Sequence, residues 1–229
     1  MAAPSESRAL IIAIDGPSGA GKGTVARELA RRLRYTHLDT GAMYRAVAWK
    51  ALHEGLPLDD EDAIAALAER AALDVGPERV EIDGHDVTAH IRTPAIDRAA
   101  TAAARLPKVR AVLVARQRKE GERGGIVMEG RDIGSVVFPA ADVKIYLDAT
   151  PEERARRRAA DPAHATSRTA ATADVATEMA ARDQSDKTRA TSPLTMAPDA
   201  VEIDTTGMSV EDVVRRVMEM VTVKVRSKK

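Results

Sequence analysis

Residues 16–24, Gly-Pro-Ser-Gly-Ala-Gly-Lys-Gly-Thr, follow a short apolar run and open a helical pattern. Glycines let several backbone N–H groups approach one phosphate, and the amino end of a helix adds positive partial charge. We expect Lys22 to meet the β- and γ-phosphates of a nucleoside triphosphate, and Thr24 to lie near its magnesium ion without a direct metal ligand in the chain. Gly23 separates lysine from threonine, which argues against the GTPase branch of P-loop proteins. The residues predicted to bind the triphosphate are Gly16, Pro17, Ser18, Gly19, Ala20, Gly21, Lys22, Gly23 and Thr24.

A second polar group, Thr40, Gly41 and Arg45, follows a strand-like run and stands at the start of another helical pattern. A hydroxyl, the free N–H groups of a helix start and a guanidinium together form a good phosphate pocket. We expect Thr40 to cap this helix. An ordinary helix cap with a surface arginine explains the same residues, and the pattern alone does not separate the two interpretations.

The segment Glu129-Gly-Arg-Asp-Ile-Gly134 follows a third buried-strand pattern. Within it, Arg131 is expected to reach a phosphate near the glycine-rich loop. Asp132 offers a carboxylate that accepts a hydrogen bond from the exocyclic amine of cytosine, whereas the carbonyl of uracil at that position would be repelled. The alternative is an Arg–Asp surface pair in a turn, which the flanking glycines at a strand end make less favourable.

A charged helix face is predicted late in the chain, since Arg182, Asp186 and Arg189 are spaced i, i+4 and i+7. Such a face can close over phosphates, with Asp186 orienting Arg182 or binding a ribose hydroxyl. A salt-bridge ladder on a solvated helix is the alternative, and without further information it is the preferred one.

An arginine cluster precedes that helix, and one or two of its members are expected to contact the triphosphate. Favourable i, i+4 spacing predicts the ion pairs Glu152–Arg156 and Glu153–Arg157, so solvated pairs account for much of the cluster. The spacing does not say which arginines reach the nucleotide. The cluster consists of Arg154, Arg156, Arg157 and Arg158.

Strand-like and helical patterns alternate along the chain, which predicts a parallel central sheet with helices on both faces. In such sheets ligands bind beyond the carboxyl ends of the strands, where the glycine-rich loop and both polar segments begin. Buried-strand patterns occur at residues 9–14, 36–39, 125–129, 143–147 and 200–203. Helical patterns occur at residues 25–33, 40–51, 59–73, 94–119 with a break at Leu106-Pro107, from Pro151 onward, 174–189, and from Ser209 onward.

One part of the chain departs from the alternating pattern. Asp83-Gly84, between two short strand-like runs, is a strong hairpin signal. It predicts an inserted subdomain at residues 57–93 within a core formed by residues 9–56 and 94–222. Residues 161–172 are small and polar, as in a mobile loop, and belong to a predicted lid region at residues 155–190.

The composition excludes several classes of function. Lysine plus arginine and aspartate plus glutamate each number 35, so bulk charge does not favour a nucleic-acid or membrane partner. The absence of cysteine excludes disulfides, thiolate metal sites and cysteine nucleophiles, and the histidines lack metal-ligand spacing. No apolar run is long enough to cross a membrane and the first residues lack a signal-peptide pattern, so we expect a cytoplasmic protein.

The sequence resembles the bacterial cytidylate kinase family in five stretches. In order along the chain they are GPSGAGKGT, LDTGAMYR, LPKVRAVLVARQR, EGRDIGSVVFP and, at residues 182–194, RDQSDKTRATSPL. The resemblance runs from about Ile12 to Glu219. It implies a three-layer P-loop fold with an inserted α+β monophosphate-binding subdomain, a short lid and a monomeric state. It also implies an enzyme of pyrimidine nucleotide metabolism that transfers the γ-phosphoryl group of ATP, with Mg²⁺, directly to CMP or dCMP.

The resemblance also implies a role for each matching residue. The acceptor phosphate is expected to contact Thr40, Tyr44, Arg45 and Arg131. The cytosine edge is expected to contact Thr101, Arg110 and Asp132. Ribose and phosphate groups are expected to contact Arg182, Asp186 and Arg189. The residues expected to act in catalysis are Lys22, Arg131, Arg182 and Arg189.

Three positions differ from common family sequence, and two other functions remain open. Thr40 and Thr101 stand where serine is frequent, and Glu129 stands where aspartate also occurs, which leaves its part in the magnesium water shell open. A kinase of UMP, AMP or shikimate would make Asp132 and Arg110 spectators. A regulatory NTPase without a small acceptor would leave the arginines of the acceptor site without a purpose. For the kinase, we expect closure of residues 161–190 to exclude water and so suppress ATP hydrolysis.

Overall fold

The computed structural model describes residues 9–162 and 172–227, which contain a five-stranded sheet and a three-stranded sheet. The strands are β1 Ile11–Asp15, β2 Thr36–Asp39, β3 Leu73–Val75, β4 Val80–Ile82, β5 His85–Asp86, β6 Ile126–Glu129, β7 Val143–Asp148 and β8 Val201–Asp204. The helices are α1 Lys22–Leu33, α2 Thr40–His53, α3 Glu61–Arg70, α4 Pro94–Ala103, α5 Pro107–Gly121, α6 Pro151–Ala160, α7 Thr172–Thr188 and α8 Val210–Ser227. A π-helical turn, Ile133–Val137, follows β6. Among these described helices, none is both long and apolar enough to cross a membrane.

The main sheet has the strand order β2–β6–β1–β7–β8, and all neighbouring strands run parallel. Successive side chains of a strand point to opposite faces, so Ile11 and Ala13 enter one hydrophobic core while Ile12 and Ile14 enter the other. Helices α2, α3 and α5 cover the first face, and α1 and α8 cover the second. The predicted three-layer α/β fold is therefore confirmed.

Two elements differ from the pattern read in the sequence. Leu73, expected to end a helix, instead begins β3, because it pairs with Ile82 of β4 in the antiparallel sheet. The last helix extends to Ser227, beyond the predicted end of the core at residue 222, and Lys224 and Arg226 in its last turn complement the negative carboxyl end of the helix dipole. The expected break at Leu106-Pro107 is confirmed, since α4 and α5 are separate helices.

Gly16 makes the bend that places the glycine-rich loop over the main sheet. Its φ is +140°, and a Cβ atom at this position would lie 1.9 Å from the carbonyl oxygen of Leu147 in β7. Only glycine avoids both the backbone strain and the clash. The chain then enters α1 at Lys22, so the loop is a short bridge between the end of β1 and the start of a helix.

The small sheet, in the order β3–β4–β5, lies within residues 57–93. The predicted hairpin turn is confirmed, with positive φ angles at Asp83 and Gly84. Val80 and Ile82 belong to the same hydrophobic core as Leu38 of β2. The small sheet is thus packed onto the first face of the main sheet, and its boundaries as a subdomain stay a proposal.

An aromatic cluster joins α2 to the small sheet. Trp49 stacks on His53 with ring centroids 4.9 Å apart and an interplanar angle of 8°. The ring of His85 is tilted against both, at 5.8 Å from Trp49 and 6.0 Å from His53. Lys50 adds an ion pair of 3.3 Å to Asp83 in the hairpin turn. These contacts fix the small sheet against the helix that begins at the second polar segment.

Helices α6 and α7 form the described part of the predicted lid region. Ala155 of α6 packs against Val175 and Met179 of α7 in a small core of their own. Residues 163–171 lie outside the described residues, and they include most of the predicted loop at 161–172 as well as His164.

Candidate active site

A cavity of about 670 Å³ opens at the carboxyl ends of β1, β2 and β6. Its lining includes residues 18–24 of the glycine-rich loop, whereas Gly16 and Pro17 do not line it. All the residues predicted to bind the acceptor line this same cavity: Thr40, Tyr44, Arg45, Thr101, Arg110, Arg131, Asp132, Arg182, Asp186 and Arg189. This location is where ligands bind in parallel α/β sheets.

The ammonium group of Lys22 is buried inside the glycine-rich loop. Its Nζ donates a hydrogen bond of 2.6 Å to the carbonyl oxygen of Pro17, which holds the side chain back over the loop. Burial, followed by repulsion from Arg131, lowers the pKa of Lys22 to about 7. A phosphate in the loop would oppose both effects, because a nearby anion stabilises the charged ammonium form.

Helix α2 is capped by Asp39, so the prediction that Thr40 caps it is wrong. Asp39 has extended backbone and accepts a hydrogen bond of 3.0 Å from the N–H of Ala42. Thr40 is already the first helical residue because the helix begins directly at the end of β2. Its hydroxyl donates instead to the carbonyl oxygen of Glu129 at 2.7 Å, which ties α2 to the end of β6.

Two arginines converge on the carboxylate of Asp39 beside Thr40. Arg45 donates to Asp39 at 2.8 Å, and Arg92 donates to the same oxygen at 3.4 Å. Burial opposes ionisation of Asp39, but the two guanidinium groups hold its pKa well below the usual range. Both arginines line the cavity and form a basic pocket next to a hydroxyl. Sequence reasoning missed both Arg92 and Asp39. A single arginine in a turn carries no spacing signal, so Arg92 could not have been found. Asp39 could have been found, because an aspartate directly before a helical pattern is a capping signal.

Asp132, just after β6, forms a buried ion pair with Arg110 of α5. Arg189 Nη2 lies 3.5 Å from the second carboxylate oxygen of Asp132. Three nearby atoms are buried without a hydrogen-bond partner in the described structure, namely Tyr44 Oη, Arg110 Nε and Arg189 Nη2. Because buried polar groups are normally paired, unpaired donors around a carboxylate indicate a site for a polar ligand. Burial raises the pKa of Tyr44 to about 12, so its hydroxyl stays protonated and available as a donor.

Asp15, at the end of β1, fixes the backbone that follows Asp132. Its two carboxylate oxygens accept hydrogen bonds from the N–H groups of Ile133 and Gly134, each at 2.7 Å. Burial raises the pKa of Asp15 to about 6, although these two hydrogen bonds act in the opposite direction. Sequence analysis gave this residue no role. The available signal was a carboxylate that ends a buried apolar strand, because such a group needs hydrogen-bond partners.

Asp186 of α7 faces the end of β6, where it accepts a hydrogen bond of 3.0 Å from Arg131. It also lies 3.8 Å from Arg189, which follows the last residue of the helix. Arg182 faces α4 instead and donates to Asp97 at 3.1 Å. The two side chains thus have hydrogen-bond partners on different elements, and the prediction that Asp186 orients Arg182 or binds a ribose hydroxyl stays a prediction.

Asp183 connects α7 directly to the glycine-rich loop. It accepts a hydrogen bond of 3.2 Å from the N–H of Ser18 and forms an ion pair with Arg154 of α6. Arg154 also donates to the carbonyl oxygen of Ser18 at 3.1 Å. Both polar groups of the Ser18 backbone are thus held by charged side chains, a role that the sequence pattern did not reveal.

The remaining arginines of α6 have separate environments. Arg156 is exposed and pairs with Glu153 at 2.8 Å, so the predicted Glu152–Arg156 pair is wrong. The predicted pair between Glu153 and Arg157 is confirmed at 2.7 Å. Arg156, Arg157 and Arg158 line the cavity, whereas Arg154 does not. Arg156, Arg157 and Arg158 are therefore the candidates for contact with the triphosphate.

Comparison with known proteins relates this arrangement to a family. The family model described as "Cytidylate kinase" matches residues 12–223. The chain belongs to the cytidylate kinase family. The cytidylate kinase of Solibacter usitatus (strain Ellin6076) is 46% identical over 225 residues, which cover 96% of this chain and 95% of that protein. The cytidylate kinase of Geobacillus kaustophilus (strain HTA426) is 48% identical over 218 residues, covering 93% of this chain and 97% of that protein.

The fold also has a counterpart among solved structures. The crystal structure of an uncharacterized protein from Eubacterium ventriosum ATCC 27560 aligns with a TM-score of 0.50 and covers 92% of this chain and 96% of that one. The two sequences are 10% identical, so the likeness concerns the fold alone.

Membership of the cytidylate kinase family implies the use of ATP, and ATP reacts as a complex with Mg²⁺. The residues present fit this ion, because Thr24, which carries a hydroxyl, and Glu129, which carries a carboxylate, both line the cavity. A Cβ atom on Gly23 would lie 3.0 Å from Glu129 Oε1, so the carboxylate stands directly against the loop. Mg²⁺ prefers few protein oxygens together with water and phosphate. Among the residues that the structure describes, no three metal-ligating side chains form a group.

Proposed function

We propose that this chain transfers the γ-phosphoryl group of ATP to CMP and dCMP, giving ADP and CDP or dCDP. Membership of the cytidylate kinase family supports the activity. The observation that carries the assignment of the site is that one cavity holds both the glycine-rich loop and the Asp132 carboxylate flanked by Arg110 and Arg189. A triphosphate and a cytosine base therefore have complementary groups within a single enclosure.

The charge of the cavity supports the binding of two polyanions. Eleven basic and six acidic side chains line it. Several of these basic groups are buried, and burial lowers the pKa of Lys22, Arg182 and Arg189. Nucleotide phosphates would relieve this unfavourable accumulation of positive charge, so binding of ATP and a monophosphate is electrostatically favoured.

The cytosine base is proposed to bind between Asp132, Arg110 and Arg189. The carboxylate accepts a hydrogen bond from the exocyclic amine, and the unpaired guanidinium N–H groups donate to the acceptor atoms of the base. Uracil carries a carbonyl in place of the amine, which a carboxylate repels. Thr101 lines the same cavity on α4 and is proposed to complete the contacts to the base.

The acceptor phosphate is proposed to bind at the start of α2, between the hydroxyls of Thr40 and Tyr44 and the guanidinium groups of Arg45 and Arg131. Arg131 also donates a hydrogen bond to Asp186, which fixes the position of its guanidinium group. This pocket is near the glycine-rich loop, because Arg131 acts electrostatically on Lys22, and Thr40 is tied to Glu129 at the end of β6. A phosphate held there faces the γ-phosphate of a bound ATP.

Transfer is proposed to be direct and in line, without a phosphoenzyme and without a general base, because the acceptor oxygen is already ionised. The chain orients the two phosphates and neutralises charge through Lys22, Arg131, Arg182 and Arg189. Mg²⁺, held near Thr24 and Glu129, supplies further charge neutralisation when it is bound. The helices α6 and α7 stand over the cavity and are proposed to exclude water from it, with Asp186 and Arg182 near the ribose.

The test is ADP formation from Mg-ATP with a panel of acceptors: CMP, dCMP, UMP, AMP, GMP and shikimate. Strong turnover with CMP and dCMP and little with UMP is the expected result. Preference for another acceptor would leave a kinase but remove the proposed base contacts. ADP formation that no acceptor stimulates would indicate a regulatory NTPase and overturn the proposal.

The proposal includes a monomeric enzyme that acts in the cytoplasm. One copy of the chain supplies all the proposed acceptor contacts and residues 18–24 of the glycine-rich loop to a single cavity. Light scattering at the concentration of the activity assay is expected to give the mass of one chain, 24.5 kDa. A larger mass at that concentration would contradict the monomer.

A further inference from the structure

Asp97 lies in the first turn of α4 and has both carboxylate oxygens engaged by arginines from other helices. Oδ1 accepts a hydrogen bond of 3.1 Å from Arg182 of α7, and Oδ2 accepts one from Arg158 of α6. One side chain therefore connects three helices. No role for Asp97 follows from the sequence motifs, which single out Arg182 and leave the choice among the α6 arginines open.

The two arginines need a counter-charge at this position. Their side chains are only 18% and 17% exposed, and both line the nucleotide cavity. Burial lowers the pKa of each, and Arg45 in the acceptor pocket acts on both in the same direction. Asp97 opposes these effects at Arg158 and Arg182. Without this carboxylate, two guanidinium groups would repel each other in a poorly solvated place.

The position of Asp97 links the acceptor side of the cavity to the helices above it. Ala99 and Ala100 of α4 pack against Ala48 of α2, the helix that carries Thr40 and Arg45. On the other side, α6 and α7 are packed together by a small core of their own. The Asp97 carboxylate therefore belongs to α4, which packs on α2 beside the proposed acceptor pocket. Its partners Arg158 and Arg182 belong to the lid region.

We propose that Asp97 is a positioning residue that sets Arg158 and Arg182 in the cavity wall before nucleotides bind, and so connects α6 and α7 to the acceptor site. This inference rests on the proposed phosphoryl transfer for its kinetic part. Asp97 itself need not touch a substrate, since it acts through the two guanidinium groups.

Kinetics of Asp97→Asn provide the first test. The neutral amide leaves the cavity more positive, so we expect the KM for ATP to stay the same or fall, whereas kcat falls about ten-fold because the arginines are no longer held in place. A general loss of structure would instead raise KM and lower kcat together. The matched control is Glu178→Gln, which removes an exposed carboxylate that lies 3.8 Å from Arg98 across the same α4–α7 contact. The control is expected to change neither constant more than about two-fold.

A mutant cycle shows whether Asp97 acts through its two arginines. In an Arg158→Gln/Arg182→Gln background, where the carboxylate has lost both partners, we expect Asp97→Asn to lower kcat by less than about two-fold. The full ten-fold effect in both backgrounds would overturn the proposal. An unchanged kcat in Asp97→Asn, or an equal effect of Glu178→Gln, would overturn it as well.

Hydrogen exchange separates this inference from the proposed function, because it needs no turnover. In the nucleotide-free protein, Asp97→Asn is expected to speed amide exchange in α7 at least about ten-fold while leaving α5 unchanged, and Glu178→Gln is expected to do neither. If Asp97→Asn does not fold, Asp97→Asn/Arg158→Gln removes the excess buried charge and is used for the same comparison. Unchanged exchange in α7 would overturn the inference even in an active enzyme. Absence of CMP phosphorylation by the wild-type protein would overturn only the proposed function.

Discussion

The carboxylate of Asp132 and the guanidinium group of Arg110 form a buried ion pair that joins the end of β6 to helix α5. The ring of Tyr44 lies below the same guanidinium group, 5.8 Å from its central carbon. The pair leaves the buried Arg110 Nε without a hydrogen-bond partner in the described structure. A carboxylate fixed in this way presents one acceptor edge to a base, which is a stricter filter than a freely rotating side chain.

Asp132→Asn is expected to weaken the discrimination between CMP and UMP. The amide can donate a hydrogen bond to the carbonyl of uracil, which the carboxylate repels, and it accepts less strongly from the amine of cytosine. We expect kcat/KM for CMP to fall by about ten- to one-hundred-fold and the CMP/UMP ratio to approach one. Steady-state kinetics with both acceptors measure this change. Asp62→Asn, at an exposed ion pair with Lys108, is the control and should leave the ratio unaltered.

Arg45→Lys is expected to act on the monophosphate and not on ATP. A lysine keeps the charge but loses the planar fork that reaches both Asp39 and a phosphate. The KM for CMP should rise about ten-fold while the KM for ATP changes less than about two-fold. Arg70→Lys, at an exposed pair with Glu54, serves as the control in the same assay. Equal rises in both KM values would show that Arg45 does not mark the acceptor site.

Lys22 is expected to take up a proton when ATP binds above neutral pH. Its pKa of about 7 in the free protein is lowered by burial, so the ammonium is mostly deprotonated at pH 8 and mostly protonated at pH 6. Bound phosphates raise the pKa again, which draws a proton from the buffer at pH 8 and almost none at pH 6. Calorimetric titrations in buffers of different ionisation enthalpy measure the uptake. Lys22→Arg keeps its charge throughout and should show no uptake at either pH.

Asp15 gives the stability of the free protein a defined pH dependence. Its folded-state pKa, raised by burial from 3.8 to about 6, means that the folded protein binds the proton more tightly than the unfolded chain. The contribution of Asp15 to stability is therefore largest below pH 4 and is lost as the pH rises to 6. Asp15→Asn removes this loss. On going from pH 4 to pH 7, the free energy of unfolding of the variant should therefore rise on the order of 2–3 kcal/mol relative to that of the wild type. Urea unfolding of both proteins at both pH values measures the difference. An equal change in the free energy of unfolding of wild type and variant between the two pH values would contradict the assignment.

Local patterns in the sequence predict the framework well. The apolar run that becomes β1, the glycines that follow it and the Asp83-Gly84 turn each have a strong preference that tertiary contacts reinforce. The place of Asp132 in the cavity wall was also predictable, because a carboxylate between glycines at a strand end has few structural reasons to be there; its contact with cytosine stays a prediction. These features depend on neighbours in sequence, which a single chain displays directly.

The choice of ion-pair partners was not predictable in the same way. Asp186 has one arginine four residues before it and another three residues after it. Its hydrogen bond nevertheless goes to Arg131, which is 55 residues away. Asp97 likewise binds two arginines from other helices. Helical spacing limits which residues share a face, but the packing of helices against the sheet decides which distant charge comes closer. Nothing in a local pattern carries that information.

The position of Trp49 has a practical consequence, since it is the only tryptophan of the sequence. Its stacking on His53 fixes the fluorophore on α2, far in sequence from α6 and α7. A change in emission on adding CMP alone would therefore report movement around α2 without any added label.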